Sequence, residues 1–409
     1  MSTAITKPSP HFPPLTFLDD GDEVIVGCAD TDAYVVLPAD GAALLRQLQA
    51  GATEEEAADW YAGQYGESVD VAEFVTALRD LGLVRDSDQT GTRPDPVRWQ
   101  GVGRALFSPA AWALYGMLVL AAVVACVADP YFAPRREHVF FSDYLILVEL
   151  TIFLGQIPLT LLHELFHVLA GRRLGLRSRI RLSQRLYFVV FETVLDGLVV
   201  VPRHKRYLPM LAGLIADTLV VAALTLVAWT TRHPDGTVTL LGGICLALAF
   251  TTLPRMAWQF YFFLRTDLYH LVSTVLGCND LHTTAREVLL NRANALIGRR
   301  DRLVDEEQWH PRDRQVARWY APLVVVGYAW MLAVLTVLIL PIAWEFLGAA
   351  VQRAFLGAAQ TSAQQWDSAI LLALTIAQLV LAGALAVRER RRTRRSRPAD
   401  PSTTQGDPR

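Results

Sequence analysis

Charge is the first shortage. Only 19% of the 409 residues are Asp, Glu, Lys or Arg, against about 25% in an ordinary soluble chain. With 52% hydrophobic residues and a mean hydropathy of +0.28, neither a plain cytosolic globule nor a disordered chain is expected. Cysteine is scarce as well. Cys28, Cys126, Cys245 and Cys278 are scattered, and no two have CxxC spacing. A disulfide framework and a thiolate metal site are therefore unsupported. The first residues, Met-Ser-Thr-Ala-Ile-Thr-Lys-Pro, lack an apolar stretch, so no cleaved signal peptide is expected. Lysine occurs twice, at Lys7 and Lys205, against 36 arginines, which reads as coding bias.

The net charge of −2 conceals an asymmetry. Residues 1–90 carry 17 acids and 4 bases; residues 91–409 carry 23 acids and 34 bases. An acidic head on a basic, apolar body implies two domains in different surroundings. No nucleic-acid partner is expected, because the bases do not gather on a soluble domain.

The head, residues 17–85, reads as a hairpin of residues 23–29 and 33–37 around a turn at Asp30–Asp32, followed by three helices. Thr53 with Glu56, and Asp70 with Glu73, have capping-box spacing, and Gly82 marks a helix stop. A polar linker, 86–105, leads to a membrane-embedded body, 106–390, and a basic tail, 391–409, expected to be disordered.

Six apolar segments lie in the body, at residues 110–128, 144–170, 207–229, 239–264, 322–344 and 369–387. The fourth is interrupted near Pro254–Arg255. Each approaches or exceeds the roughly 20 residues that cross a bilayer. The stretches 171–206 and 265–318 each carry nine Lys or Arg, and the tail from Arg388 carries eight; the intervening loops carry two, one and one. Both termini inside a cytoplasmic membrane places every rich stretch on the cytoplasmic side. A seventh span at 256–276 would invert that, so a full span is not expected there, which leaves a broken or re-entrant helix open. The expected fold class is thus an α-helical polytopic membrane protein of about six transmembrane helices, with a small N-terminal α+β, winged-helix-like domain.

The second segment contains His163-Glu164-Leu165-Phe166-His167, an HExxH. At i and i+4 of a helix the two imidazoles lie on one face, one turn apart, and can reach a single Zn²⁺. Glu164 stands beside them to take a proton from water. His163 precedes Arg172 by nine residues, about 13 Å along a helix, so the site lies inside the membrane near its cytoplasmic face. Ionisable groups are costly there, and a metal is a compensating partner.

A catalytic zinc needs a third protein ligand. Ala170 and Arg173 exclude the metzincin spacing. Asp267 lies at the right depth, followed by an apolar run. Asp196, before Gly197, and His270 are alternatives. Asp217, inside the third segment, is expected to bond a neighbouring helix or a backbone group. Glu149 and Glu192 have the character of access-path residues, and His270 or Arg255 are candidates to face an oxyanion.

Residues 163–171 resemble the zinc helix of the site-2 protease class of intramembrane metalloproteases. More closely, the body is similar to the peptide zinc metalloproteases found beside modified-peptide gene clusters. The similarity covers HExxH with Ala170; Asp196, Pro202-Arg203, Arg206 and Ala212-Gly213; and Thr266-Asp267-Leu268-Tyr269 with Asn279-Asp280-Leu281. Phe166, Leu214 and Leu268 depart from a glycine, a proline and a glycine of the pattern. The resemblance implies a zinc endopeptidase with His163, His167 and Asp267 as ligands and Glu164 as catalytic residue. The head, with its terminal Leu81-Gly82-Leu83-Val84, resembles the PqqD-like fold that recognises leader peptides in ribosomal peptide biosynthesis. That implies a precursor peptide as partner, held along a strand edge for which Tyr34, Val35 and Val36 are candidates. A regulatory protease acting on a transmembrane substrate, or a non-cleaving receptor, export or immunity partner with a structural zinc, are the competing expectations. The sequence does not specify an oligomeric state.

Overall fold

The computed structural model describes residues 12–20, 23–28, 33–84, 97–185, 188–357 and 361–395. The head opens with three antiparallel strands, β1 (Leu15–Asp20), β2 (Glu23–Cys28) and β3 (Ala33–Pro38), in the order β1-β2-β3. The expected hairpin is therefore a three-stranded meander beginning at Leu15. Its first strand ends in two aspartates, which mask its β character; the turn at Asp30–Asp32 lies outside the described residues. Helices α1 (Ala39–Gln49), α2 (Glu54–Tyr65) and α3 (Val71–Asp80) follow.

The capping chemistry is in place. Thr53 and Glu56 exchange side-chain to backbone bonds at the start of α2, and Asp70 accepts the Glu73 N–H at the start of α3. Gly82 sits at φ +78°, where a side chain would be strained. One face of α1 buries Ala42 and Leu45 against β2, Leu78 and Leu83; the other buries Leu44 and Leu48 against Ala57, Tyr61 and Val75. Tyr61 donates to Asp40 in the first turn of α1. That bond, more than burial, pushes the phenol up to about 12 and holds the Asp40 carboxyl below its usual range.

The body is helical apart from one hairpin. Helix α4 (Gln100–Leu106) forms where the linker was expected to end. It packs on the later helix that carries the HExxH so tightly that a Cβ on Gly103 would meet the Leu169 carbonyl. Helices α5 (Pro109–Ala128) and α6 (Leu145–Arg173) come next, then the hairpin β4 (Ser178–Arg185) and β5 (Phe188–Leu195). After it come α7 (Arg203–Thr230), α8 (Leu240–Trp258), α9 (Asp267–Leu276) and α10 (Leu281–Ile297). Last are α11 (Pro311–Val334), continued through a π turn into α12 (Leu340–Phe355), and α13 (Ser362–Arg395).

Five helices among the described residues are long and apolar enough to cross a membrane: α5, α6, α7, α8, and α11 with its extension to Val337. The sixth expected segment, 369–387, falls within α13. That helix is not among the five, and some of its side chains lie outside the described residues. α13 runs to Arg395, so the first residues of the tail are helical rather than disordered; residues from 396 lie outside the description.

The fourth expected segment is corrected in its break. α8 continues through Pro254 and ends at Trp258, since packed apolar helices tolerate an internal proline. The chain then turns through Phe262–Leu264 before α9, and the ten residues of α9 are too short to cross. The stretch 256–276 is thus broken and not a full span.

Head and body touch. Strands β1 and β2 pack on the short turn Leu198–Val200, where Gly27 leaves room for Val200: a Cβ would stand 2.4 Å from its Cγ1. Glu23 also approaches His310, at 3.6 Å.

The corner after α9 is held from α11. Buried Asp313 accepts the backbone N–H groups of Asn279 and Asp280 at 3.0 Å each. Asp313→Ala leaves both donors unpaired, at about 1–3 kcal/mol. A lowered thermal midpoint of the full chain in detergent checks this; an unchanged midpoint refutes it.

Candidate metal centre

The site is assembled from three helices. α6 supplies His163 and His167 one turn apart, both buried. α9 supplies Asp267 in its first turn, presented by a tight turn in which Arg265 takes φ +55°. The Asp267 N–H donates to Gln259 Oε1 at 3.1 Å, and Thr266 Oγ1 donates to the Gln259 carbonyl at 2.6 Å. Gln259 thereby fixes where α9 begins. α7 closes the site with Gly213.

The three donor atoms form a nearly equilateral triangle. His163 Nε2 is 3.2 Å from His167 Nε2, and Asp267 Oδ2 is 3.3 and 3.2 Å from the two nitrogens. Ligands about 2.0–2.1 Å from a tetrahedral ion stand about 3.3 Å apart, so the spacing is that of one metal's coordination edge. These residues are the only His, Cys, Asp or Glu group of three among the described residues that could hold an ion.

The far sides of both rings are engaged. His163 Nδ1 lies 3.0 Å from Asp217 Oδ2, and His167 Nδ1 lies 2.7 Å from the Pro209 carbonyl. Both partners accept, so each Nδ1 carries a proton, and the Nε2 atoms are the ones turned to the centre, where a neutral ring would offer its lone pair to a metal. Gly213 keeps the space between them open. A Cβ there would stand 2.3 Å from His163 Nε2 and 2.4 Å from His167 Nε2.

Charge fits the same occupant. Glu164, Asp217 and Asp267 bring three carboxylates against one guanidinium, Arg255. Buried charge needs a counter-charge or a metal, and a divalent cation would balance this set. Two imidazoles and a carboxylate suit a divalent transition metal.

Glu164 is buried beside the triad, and a residue of the unpredicted hairpin meets it. Thr193 Oγ1 on β5 is 2.7 Å from Glu164 Oε2 and 3.1 Å from the Glu164 carbonyl. Thr193 escaped the sequence reading, although the Val, Thr and Phe content of β5 was a strand signal. Gln259 carried no signal. Asp217 was visible as an acid in an apolar span; its partners are His163 and Arg255 rather than a backbone group.

The alternatives stand elsewhere. Asp196 faces Arg179 at 3.8 Å, and its N–H donates to the Arg177 carbonyl. His270 makes a T-shaped ring contact with Tyr269, centroids 5.2 Å apart, and neither residue joins the triad. Arg255 is turned to Asp217. Glu149 meets Gln378 of α13 at 3.4 Å; the Glu192 side chain lies outside the described residues. Phe166 has a structural account, since it meets Phe107 edge-on with ring centroids 6.0 Å apart, in a cluster with Leu169, Ala212 and Ala216. At Cys278 burial, then the nearby Asp313 carboxylate, pushes the thiol up to about 12, and the residue is not part of the triad.

On the head, β3 is an edge of the sheet. Tyr34 and Val36 face outward, 53% and 37% exposed, while Val35 packs against the head core.

No family model, curated protein or solved structure matches the chain.

Proposed function

We propose that the chain is a membrane zinc metalloendopeptidase that matures a ribosomally made peptide by removing its leader. The observation that supports this most is the 3.2–3.3 Å triangle of His163 Nε2, His167 Nε2 and Asp267 Oδ2, with Glu164 next to its first member.

A zinc ion held by His163, His167 and Asp267 would supply Lewis acidity toward the scissile carbonyl and lower the pKa of a water. Glu164 accepts the water's proton on a carboxylate oxygen and delivers it to the departing amine. Thr193 donates to that carboxylate or to the carbonyl of the same residue, and so sets its rotamer. The proton-bearing Nδ1 atoms of both histidines keep the ligand nitrogens aimed inward.

The head holds the leader along β3, where main-chain bonds give affinity and the outward Tyr34 and Val36 give selectivity. A tethered substrate reaches an effective concentration of roughly millimolar, and the contact of β1 and β2 with the Val200 turn gives the head a fixed seat. Both termini stand on the cytoplasmic side, as the Lys and Arg bias favours.

The test is metal removal on the purified full chain in detergent. Native protein should carry about one zinc per chain and cut short peptides encoded beside its gene. Chelator-treated protein should cut none, and zinc should restore the activity. Cleavage that survives complete metal loss overturns the proposal.

A further inference from the structure

Asp217 is an anomaly until its partners are considered. It is fully buried near the middle of α7, one of the five helices apolar enough to cross a membrane. A lone carboxylate is costly in such surroundings. Its two oxygens take three contacts. Oδ2 meets His163 Nδ1 at 3.0 Å and the Nε of Arg255 at 3.3 Å, and Oδ1 meets an Arg255 terminal nitrogen at 2.5 Å. The guanidinium thus grips the carboxylate as a fork. The other terminal nitrogen of Arg255 donates to Thr160 Oγ1 at 2.8 Å and Gln156 Oε1 at 3.2 Å. One guanidinium on α8 therefore ties α7 to α6, one turn before the HExxH.

Asp217 cannot itself be a ligand. It lies at the Nδ1 edge of the His163 ring, and the triad lies at the Nε2 edge. A carboxylate in that position does something else: it fixes which nitrogen carries the proton and where the ring points. His167 receives the same service from a neutral backbone carbonyl. The two ligands are thus oriented by different means, and only one of them depends on a charged pair held by a third helix.

We propose that Asp217 and Arg255 are positioning residues of the metal centre: Asp217 holds His163 as an Nε2 ligand, and Arg255 acts through Asp217 by locking its carboxylate. The proposal rests on the metal reading of the triad and is independent of whether the protein cleaves anything.

Metal binding is the readout. Wild type, Asp217→Asn, Arg255→Gln and the double variant, each as full chain in detergent, are titrated with zinc against a chromophoric chelator. Each is also loaded with cobalt for its visible spectrum. Asp217→Asn should bind zinc about 10- to 100-fold more weakly, with a shifted cobalt spectrum. The new amide must face Arg255 with its N–H side if its oxygen is to serve His163, which sets donor against donor. Removing Arg255 relieves that clash, so the double variant should bind at least as tightly as Asp217→Asn. Independent structural damage would instead add up.

Nitrogen-15 spectra of histidine in loaded wild-type protein give a second measure that needs no variant. Both metal-bound rings should be protonated at Nδ1. Three results overturn the proposal: zinc affinity of Asp217→Asn within about twofold of wild type with an unchanged cobalt spectrum, additive losses in the double variant, or a metal-bound ring protonated at Nε2. Wild-type protein that binds no metal sinks it together with the proposed function. Protein that binds metal but cuts nothing sinks only the function.

Discussion

Glu164→Gln should abolish peptide cleavage while leaving the metal bound. Glutamine keeps the length of the side chain and an oxygen that can accept from Thr193 Oγ1, which lies 2.7 Å from Glu164 Oε2. It cannot accept the water's proton. General-base assistance is worth about 10²–10⁴-fold. The same group also returns the proton to the leaving amine, so a loss near the upper end of that range is expected. Metal content should not change, because the triangle consists of His163, His167 and Asp267 alone. Metal analysis and peptide cleavage on one matched pair of preparations decide this. If both proteins hold zinc and the variant serves the cell as well as wild type, the metal is structural and a non-cleaving receptor or export partner becomes the better account. If the variant also loses its metal, Glu164 has a structural role that the triangle does not reveal.

How much of this site the sequence discloses depends on how far its parts lie apart in the chain. His163, Glu164 and His167 share one turn of one helix, so helical geometry alone makes them a unit. Asp267 is a hundred residues away. Depth and the apolar run after it put Asp267 ahead of Asp196 and His270, and the family resemblance points to the same residue. The geometry that singles it out comes from the turn after Trp258, where Gln259 and Thr266 fix the first residue of α9. Hydropathy placed the long helices well because length and apolarity are local properties. It misplaced the break in α8, because the helix continues through Pro254 and ends four residues later, at Trp258. It also passed over β4 and β5: β4, with Arg179, Arg181 and Arg185, reads as a charged loop, and the apolar β5 shows its pairing only once that partner strand is known. Thr193 was lost with that hairpin. Asp217 announced itself as an acid in an apolar run, but its pairing with His163 joins two helices, and no local pattern records it.

Gly213→Ala should weaken metal binding about 100-fold in an otherwise folded protein. The added methyl would stand 2.3 Å from His163 Nε2 and 2.4 Å from His167 Nε2, inside van der Waals contact with both ligand atoms. Neither ring can give way cheaply, because each is held at Nδ1, by Asp217 at 3.0 Å and by the Pro209 carbonyl at 2.7 Å. Nor can α7 retreat cheaply, since Ala212 and Ala216 on either side of the glycine are buried against Leu169 and Ala170 of α6. Overpacking of this kind costs about 1–3 kcal/mol. Here the strain falls on the ligand triangle, so the upper end applies, and zinc affinity should fall about 100-fold. Gly171→Ala is the matched control. Its methyl would meet Leu195 Cδ2 at 2.6 Å, the end of a flexible side chain that can rotate aside, so zinc binding should survive. If both variants bind zinc like wild type, the metal does not occupy the space that Gly213 keeps open, and the triangle of His163, His167 and Asp267 is not its seat. If Gly213→Ala alone fails, the close approach of α7 to the HExxH is a requirement of metal binding itself. The bare backbone at residue 213 would then be as much a part of the centre as the side chains that face it.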